Sequence, residues 1–401
     1  MSPPGARGDR TRVLVGICVL IAVNQLGFGA VVAVLALYAQ SFGVSQSAIG
    51  LAIAIYGLAR FLLAMPAGQL ADRVGRRPAL ALGGVVSAVG NLVCAYAPTF
   101  PLFILGRFVA GAGAALVLIA GTVILADITT PADRGRTMAI YQGVFLFAVG
   151  VGPVPGGMLA ERFGLVAPFV VYAVAGVVAA ALAWFLIPET RGALADTAVA
   201  AAAPPEFAVQ VRVLTAQVGF ALVSLISFVS AFARTGALFN VIPVLAHDRL
   251  GLSAQRIGVG LGLASLVGLA LIYPSGVLVD RYGRKVVIVP ATLVSGASLV
   301  VFLLMPSYAW FLAGCVAWSL AVGVSGAAPA AYAADVAPPG MNAAAMSTYR
   351  MLADLGYVLG PIALGLITDA FGANAALATA AVLLVAVAVV FARVAPETYR
   401  V

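Results

Sequence analysis

The chain predicts an all-α membrane protein of twelve transmembrane helices in two pseudo-symmetric six-helix halves. Three observations carry this: a composition too apolar for a soluble core, twelve apolar runs of spanning length, and an internal echo at a fixed offset of 208 residues. Of the 401 residues, 63% are apolar and 9% are charged, and mean hydropathy is +1.12. Soluble domains are about 45–50% apolar and about 25% charged. One soluble core cannot bury this much apolar surface, so lipid must solvate much of it.

The apolar runs centre on 13–38, 47–70, 78–97, 101–125, 138–160, 166–187, 213–239, 255–278, 286–305, 308–333, 344–367 and 373–393. Each is near the roughly 20 residues that cross a bilayer as a helix. Each must be helical, because lipid offers the backbone no hydrogen-bond partners. The basic N-terminus precedes a run that continues through Tyr38 without a cleavage site and has a counterpart in the second half, so it reads as a first helix rather than a signal peptide.

Of the 22 Lys and Arg residues, fifteen fall on one side of the predicted spans, three on the other and four within them. The positive-inside rule then puts both termini in the cytoplasm and the chain in the cytoplasmic (inner) membrane. The net charge of +8 follows this topology, and its dispersal argues against nucleic acid. Cys18, Cys94 and Cys315 lie in apolar runs and read as buried small hydrophobes, not as disulfides or metal ligands.

Shifting the chain by 208 residues superposes Asp72 on Asp280, Arg73 on Arg281, Gly75 on Gly283 and Arg76 on Arg284. Asp127 falls on Asp335, Gly152-Pro153 on Gly360-Pro361, Gly157 on Gly365, and Pro188-Glu189-Thr190 on Pro396-Glu397-Thr398. Coincidence at so many turn-forming positions marks two homologous halves, 1–190 and 212–401. The Ala/Pro-rich 191–211 between them reads as a cytoplasmic linker.

"GQLADRVGRR" at 68–77 and its echo "GVLVDRYGRK" at 276–285, placed between the second and third helices of each half, resemble the loop motif of the major facilitator superfamily. The resemblance covers essentially the whole chain. "GVGPVPGG" (Gly150–Gly157) is similar to the fifth-helix element of its 12-helix drug:proton antiporters, and "LGRFVAGAGAA" (Leu105–Ala115) resembles their Arg-containing fourth-helix motif. The resemblance implies a secondary transporter, not an enzyme, working by alternating access, with a small-molecule substrate, protons and the bilayer as partners, and with no cofactor or metal. It is expected to act as a monomer. "PETRG" (Pro188–Gly192) resembles a sugar-porter motif, but the seventh helix lacks the glutamine-rich sugar element. Efflux of a hydrophobic or amphipathic compound therefore leads, and import or facilitated passage of a small solute such as a sugar or metabolite is the alternative.

The charges suggest roles. Arg76 sits one turn past Asp72, and Asp127 ends helix four on the same face. These residues with Arg73, and Asp280, Arg281, Arg284 and Asp335 in the copy, form two expected gating latches. Gly152, Pro153, Gly156 and Gly157, echoed by Gly360 and Pro361, form the antiporter kink. Ionisable groups at membrane depth are functional candidates: Arg60, Arg107, Arg234, Arg350 and Asp354. Asp354 lies roughly 15 Å into helix eleven and Arg60 roughly 18 Å into helix two by helical rise. They are expected to pair and part as the halves rock, with Arg350 as the rival partner of Asp354 and Arg107 as a further coupling residue. Arg107 also lies within snorkelling reach of the outer interface. Asn24, Gln25, Tyr141, Gln142, Arg234, Asn240, Tyr349 and Tyr357 are the expected cavity residues, too few to satisfy the hydroxyls of a sugar. No phosphate-binding loop is present.

Overall fold

The computed structural model describes residues 4–129, 131–190, 207–326, 328–338 and 341–398. Among them are twelve helices long and apolar enough to cross a membrane: α1 (Thr11–Val32), α2 (Gln46–Val74), α3 (Arg76–Ala95), α4 (Phe100–Asp127), α5 (Arg136–Phe163), α6 (Ala167–Leu186), α7 (Val218–Leu250), α8 (Ala254–Leu271, its helix continuing to Tyr282), α9 (Arg284–Leu304), α10 (Tyr308–Asp335), α11 (Ala344–Phe371) and α12 (Ala373–Val394). No strand occurs among the described residues. Large apolar side chains such as Met65, Phe185, Tyr273 and Phe371 are exposed, as lipid-facing positions should be.

The helix ends follow local chemistry. Gly75 and Gly283 have φ of 106° and 94°, so the chain turns sharply between α2 and α3 and again between α8 and α9. A Cβ is disfavoured there, which accounts for glycine at both. The first apolar run is not one helix: α1 stops at Val32 and a short helix, Leu35–Gln40, follows. The Tyr38 phenol donates from that segment to the Cys94 and Ala95 carbonyls at 3.0 and 3.2 Å. Burial, with Cys94 alongside, raises the Tyr38 pKa and keeps it a donor. Phe207–Val211, assigned to the linker from sequence, already belong to a helix, Phe207–Ala216, and 191–206 lie outside the described residues. Phe207, Val211 and Leu214 recur at helical spacing, and Leu214 is fully buried, which explains the earlier start.

The chain divides into two compact units. The first comprises Met1–Phe42, Ile55–Val199 and Ala254–Gly262; the second comprises Gly43–Ala54, Ala200–Ser253 and Leu263–Val401. The first turns of α2 thus belong with the second unit and those of α8 with the first, at positions that match in the 208-residue register. In the first unit α3 packs on α4 and α6, and α1 packs on α5 and α6. In the second, α9 packs on α10 and α12, and α7 packs on α11 and α12. The backbones come close because small residues line the contacts, as where Gly84 of α3 meets Gly176 and Ala180 of α6.

Candidate functional site

Arg76, at the start of α3, gathers the charges of the first loop. Its Nη1 lies 2.8 Å from Asp72 and its Nε 3.1 Å from Asp127, while Nη1 also donates to the Ala71 carbonyl at 3.1 Å. Thr190, after α6, donates to the same Asp127 oxygen at 3.0 Å. Glu189 accepts the Arg76 and Arg77 backbone N–H groups at 2.9 and 3.2 Å, capping the N-terminus of α3. Arg73 is exposed. In the second unit Arg284 Nε lies 3.0 Å from Asp335, Nη1 donates to Val279, and Thr398 donates to Asp335 at 3.1 Å. Arg281 stacks beside Tyr282, and the Asp280 side chain lies outside the described residues. Glu189, Thr190 and Thr398 thus place the "PET" segments in these loop clusters, a role sequence reading did not assign.

The Gly-Pro segment of α5 lies between two helices within the first unit. A Cβ at Gly156 would collide with the backbone of Ala30 in α1, and one at Gly157 with the backbone of Ala254 and Gln255 at the start of α8. In the second unit, Gly365 of α11 meets Gln46 and Ser47 at the start of α2 in the same way, and Gly360 meets Phe232 of α7. Pro361 lies inside α11 and leaves the Tyr357 carbonyl, four residues earlier, without its helical donor; Thr235 Oγ1 donates to that carbonyl at 3.1 Å, and Asn240 Nδ2 donates to the Pro361 carbonyl at 2.9 Å. The glycines are therefore points of backbone approach, not merely of bending.

Arg107 does not snorkel. It is 1% exposed, with its guanidinium 4.4 Å from the centre of the Tyr56 ring. The Tyr56 and Tyr172 hydroxyls meet at 3.2 Å, and Arg60 is within electrostatic reach of both phenols. Packing of α4 on α2 and α3 encloses the arginine: Gly111 and Ala110 bring those backbones close enough to shut the interface off. Asp354 is partly buried in α11, and no hydrogen bond or ion pair to it is formed among the described residues. Arg350, one turn earlier and exposed, does not pair with it.

The expected cavity residues do not share one surface. Asn24, Gln25 and Tyr141 are buried, Asn24 completely and with both amide atoms unpartnered among the described residues. Asn240 is also fully buried: besides its bond to Pro361 it accepts Gln46 Nε2 at 2.8 Å, so it joins helices rather than facing open space. Gln142 is exposed, and the Tyr357 carbonyl accepts Thr235. Arg234 and Tyr349 do line a cavity of about 230 Å³ in the second unit, together with Ser227, Ser230, Thr292 and Trp318. Ser227, Ser230 and Arg234 stand at i, i+3 and i+7, the spacing of one helix face, and that signal was available in the sequence.

The Asp369 carboxylate was not singled out from sequence. It accepts the Gln46 and Ser47 N–H groups at 2.8 and 3.0 Å and caps the first turn of α2 within the second unit. Its sequence neighbours give no clue, because the partner is more than 300 residues away.

The family model for the Major Facilitator Superfamily matches residues 17–271 and 223–401. The chain belongs to the major facilitator superfamily. Its superfamily relatives include the inner membrane transport protein YajR of Escherichia coli, 32% identical over 46% of this chain and 40% of that protein. The multidrug resistance protein MdtL of Klebsiella pneumoniae is 24% identical over 79% of this chain and 80% of its own. Among solved structures, a bacterial homologue of the human lysosomal transporter Spinster aligns with a TM-score of 0.74 at 18% identity, over 98% of this chain and 96% of that one. The superfamily is one of transporters rather than enzymes, and this member is a multi-pass membrane protein.

Proposed function

We propose that this superfamily member exports hydrophobic or amphipathic small molecules in exchange for protons by alternating access. The observation that carries the proposal is the packing of Gly156 and Gly157 against the backbones of α1 and α8, in a segment matching the antiporter element. Such a seam holds two helices against α5 without side-chain gaps, which limits leak during exchange. The relative named as a multidrug resistance protein supports the same direction of transport.

In this reading Asp354 carries the proton and Arg60, Arg350 and Arg107 are the cations whose interactions its charge controls. A carboxylate that faces a cation in one access state and not in the other ties its charge to the change of state, which a proton carrier requires. The clusters on Arg76 and Arg284, with Arg73, Arg281 and the acids Asp72, Asp127, Asp280 and Asp335, bias the access equilibrium. Shifting such an equilibrium takes a differential of a few kcal/mol. The Lys/Arg asymmetry supports an inner-membrane protein with both termini cytoplasmic.

Proteoliposomes under an imposed pH gradient test this. Gradient-driven efflux across a panel of amphipathic compounds is expected in the wild type, and Asp354→Asn should lower it about tenfold or more while exchange without a gradient persists. Wild-type flux indifferent to the gradient removes antiport, and an unchanged D354N moves the carrier to another residue.

A further inference from the structure

We propose that the cavity at the shared end of α1, α3 and α6 is a binding site for the phosphate head group of an anionic membrane phospholipid, with Arg77 and Arg12 as its cations. Neither the transported solute nor proton exchange enters into it.

The cavity, of about 440 Å³, lies within the first unit, where α6 packs against both α1 and α3. Arg12 is the second residue of the α1 span and Arg77 the second of α3, while Trp184, Phe185 and Leu186 end α6. All five therefore sit at span ends, at the depth where a bilayer changes from acyl chain to head group. Trp184, Phe185 and Leu186 are exposed, so an apolar surface adjoins the two cations.

Arg12 and Arg77 carry the only formal charges among the described residues lining the cavity. Both stay protonated at any working pH. The acids of the neighbouring loop cluster have other ties. Asp72 and Asp127 hold Arg76, and Glu189, just beyond the lining, accepts the Arg76 and Arg77 backbone N–H groups. Even with Glu189 counted, the balance is positive. Arg77 is half-buried, and its guanidinium carbon lies 4.7 Å from the centre of the Trp184 ring. Its Nε is buried and makes no hydrogen bond among the described residues. A guanidinium stacked on one face and short of a hydrogen-bond partner gains from an anion beside it, and phosphate oxygens match its paired donors.

The second half does not repeat the arrangement. In the 208-residue register Arg12 falls on Phe220, Trp184 on Ala392 and Arg77 on Lys285. Phe220 is fully buried, and the Lys285 ammonium donates to the Ala395 carbonyl at 2.7 Å. The cation that is tied to backbone there is stacked on a tryptophan beside a cavity here. Positive-inside bias accounts for cations at these span ends in either half. It does not account for a cavity that joins two of them to a tryptophan in the first half and not at the matching positions of the second.

The volume falls within the roughly 300–1,000 Å³ of ligand pockets. A soluble phosphate would meet the arginines but leave Trp184, Phe185 and Leu186 uncovered. A zwitterionic lipid would bring its own ammonium toward two guanidinium groups. An anionic phospholipid sets its phosphate on the arginines and its acyl chain on the apolar side chains, with the Trp184 ring at the interface between them.

Quenching of Trp184 fluorescence tests this. The full chain is held in phosphatidylcholine nanodiscs, and part of the lipid is replaced by phosphatidylglycerol or phosphatidylcholine carrying the same brominated acyl chain. Quenching lost in Trp184→Phe isolates the signal of that ring, and the ratio between the two lipids gives the preference within each variant. Wild type is expected to favour phosphatidylglycerol about tenfold. Arg77→Gln should cut the preference about fivefold, Arg77→Lys less, and Arg12→Gln less because Arg12 is exposed. If R77Q does not purify as a monodisperse protein, R12Q carries the test. Arg393→Gln, which removes the same charge from the last turn of α12, should leave the preference within about twofold. No preference in the wild type overturns the proposal, as does an R393Q loss equal to that of R77Q, which would mean diffuse surface attraction. Displacement of the brominated phosphatidylglycerol by millimolar inorganic phosphate would also overturn it, because the site would then serve a soluble anion.

Discussion

In the first loop cluster, Arg76 bridges Asp72 and Asp127, and Glu189 accepts two backbone N–H groups at the start of α3. In the second, Arg284 holds Asp335, and Lys285 donates its ammonium to the Ala395 carbonyl at 2.7 Å. The geometry of the arginine repeats down to the carbonyl its Nη1 reaches, Ala71 in one copy and Val279 in the other. A tie to the chain leaving the last helix is seen in each half: the Glu189 carboxylate accepts from amides in the first, and the Ala395 carbonyl accepts from the Lys285 ammonium in the second. Both dock the same segment onto the same helix end. In the 208-residue register Arg77 falls on Lys285 and Glu189 on Glu397, so the halves keep both the positions and the signs of these charges, and the two ties engage different backbone groups.

The largest expected effect comes from forcing one half to copy the other where their packing differs. Gly156 aligns with Leu364 in the 208-residue register. Leu364 is fully buried beside Gly236, whereas a side chain at Gly156 meets the backbone of Ala30. Backbone cannot rotate away as a flexible side chain can. Gly156→Leu should therefore push α5 off α1, at a cost of about 3 kcal/mol or more, and lower the melting temperature by about 5 °C or more. A G156L protein that melts like the wild type would mean that the two seams are interchangeable.

A smaller difference separates Asp127→Asn from Asp335→Asn. Both acids accept an arginine Nε and a threonine hydroxyl, but their side chains are 22% and 34% exposed. Solvent screens the second pair more, so D127N should cost about 1–2 kcal/mol and D335N less than about 1. Double-mutant cycles with Arg76→Ala and Arg284→Ala, read by thermal unfolding, measure each coupling. Equal couplings would show that exposure does not set the difference.

The sequence carried the fold because lipid leaves the backbone only one solution and because the repeat is written in residues that punctuate helices: Gly75 and Gly283, Pro153 and Pro361, Gly157 and Gly365. Arg76 with Asp127 was legible for the same reason. What could not be read was lateral proximity. Arg107 sits about two turns from the start of its own helix, yet the close approach of Ala110 and Gly111 to neighbouring backbones buries it against Tyr56. Asp369 caps a helix that begins hundreds of residues earlier. Asn240 looked like a cavity lining residue because it is polar in an apolar run, but its amide is taken up by the Pro361 carbonyl and by Gln46. Periodicity gives the face of a helix; only packing says what lies opposite that face.

The smallest effect isolates the charged group in each tie. Glu189 is exposed, so its attraction to the helix end is screened, and Glu189→Gln keeps an acceptor oxygen while removing the charge. It should cost a few tenths of a kcal/mol at low ionic strength. At 0.5 M salt the loss should shrink toward zero, because the screening length falls to a few ångströms. Lys285→Met acts differently. It strands the carbonyl of Ala395, which is 3% exposed, and a stranded buried acceptor costs about 1 kcal/mol whatever the salt. Melting temperatures of the two variants at 0.05 and 0.5 M NaCl should therefore diverge, with E189Q converging on the wild type and K285M holding its deficit. If both deficits faded with salt, the second tie would be a charge effect like the first.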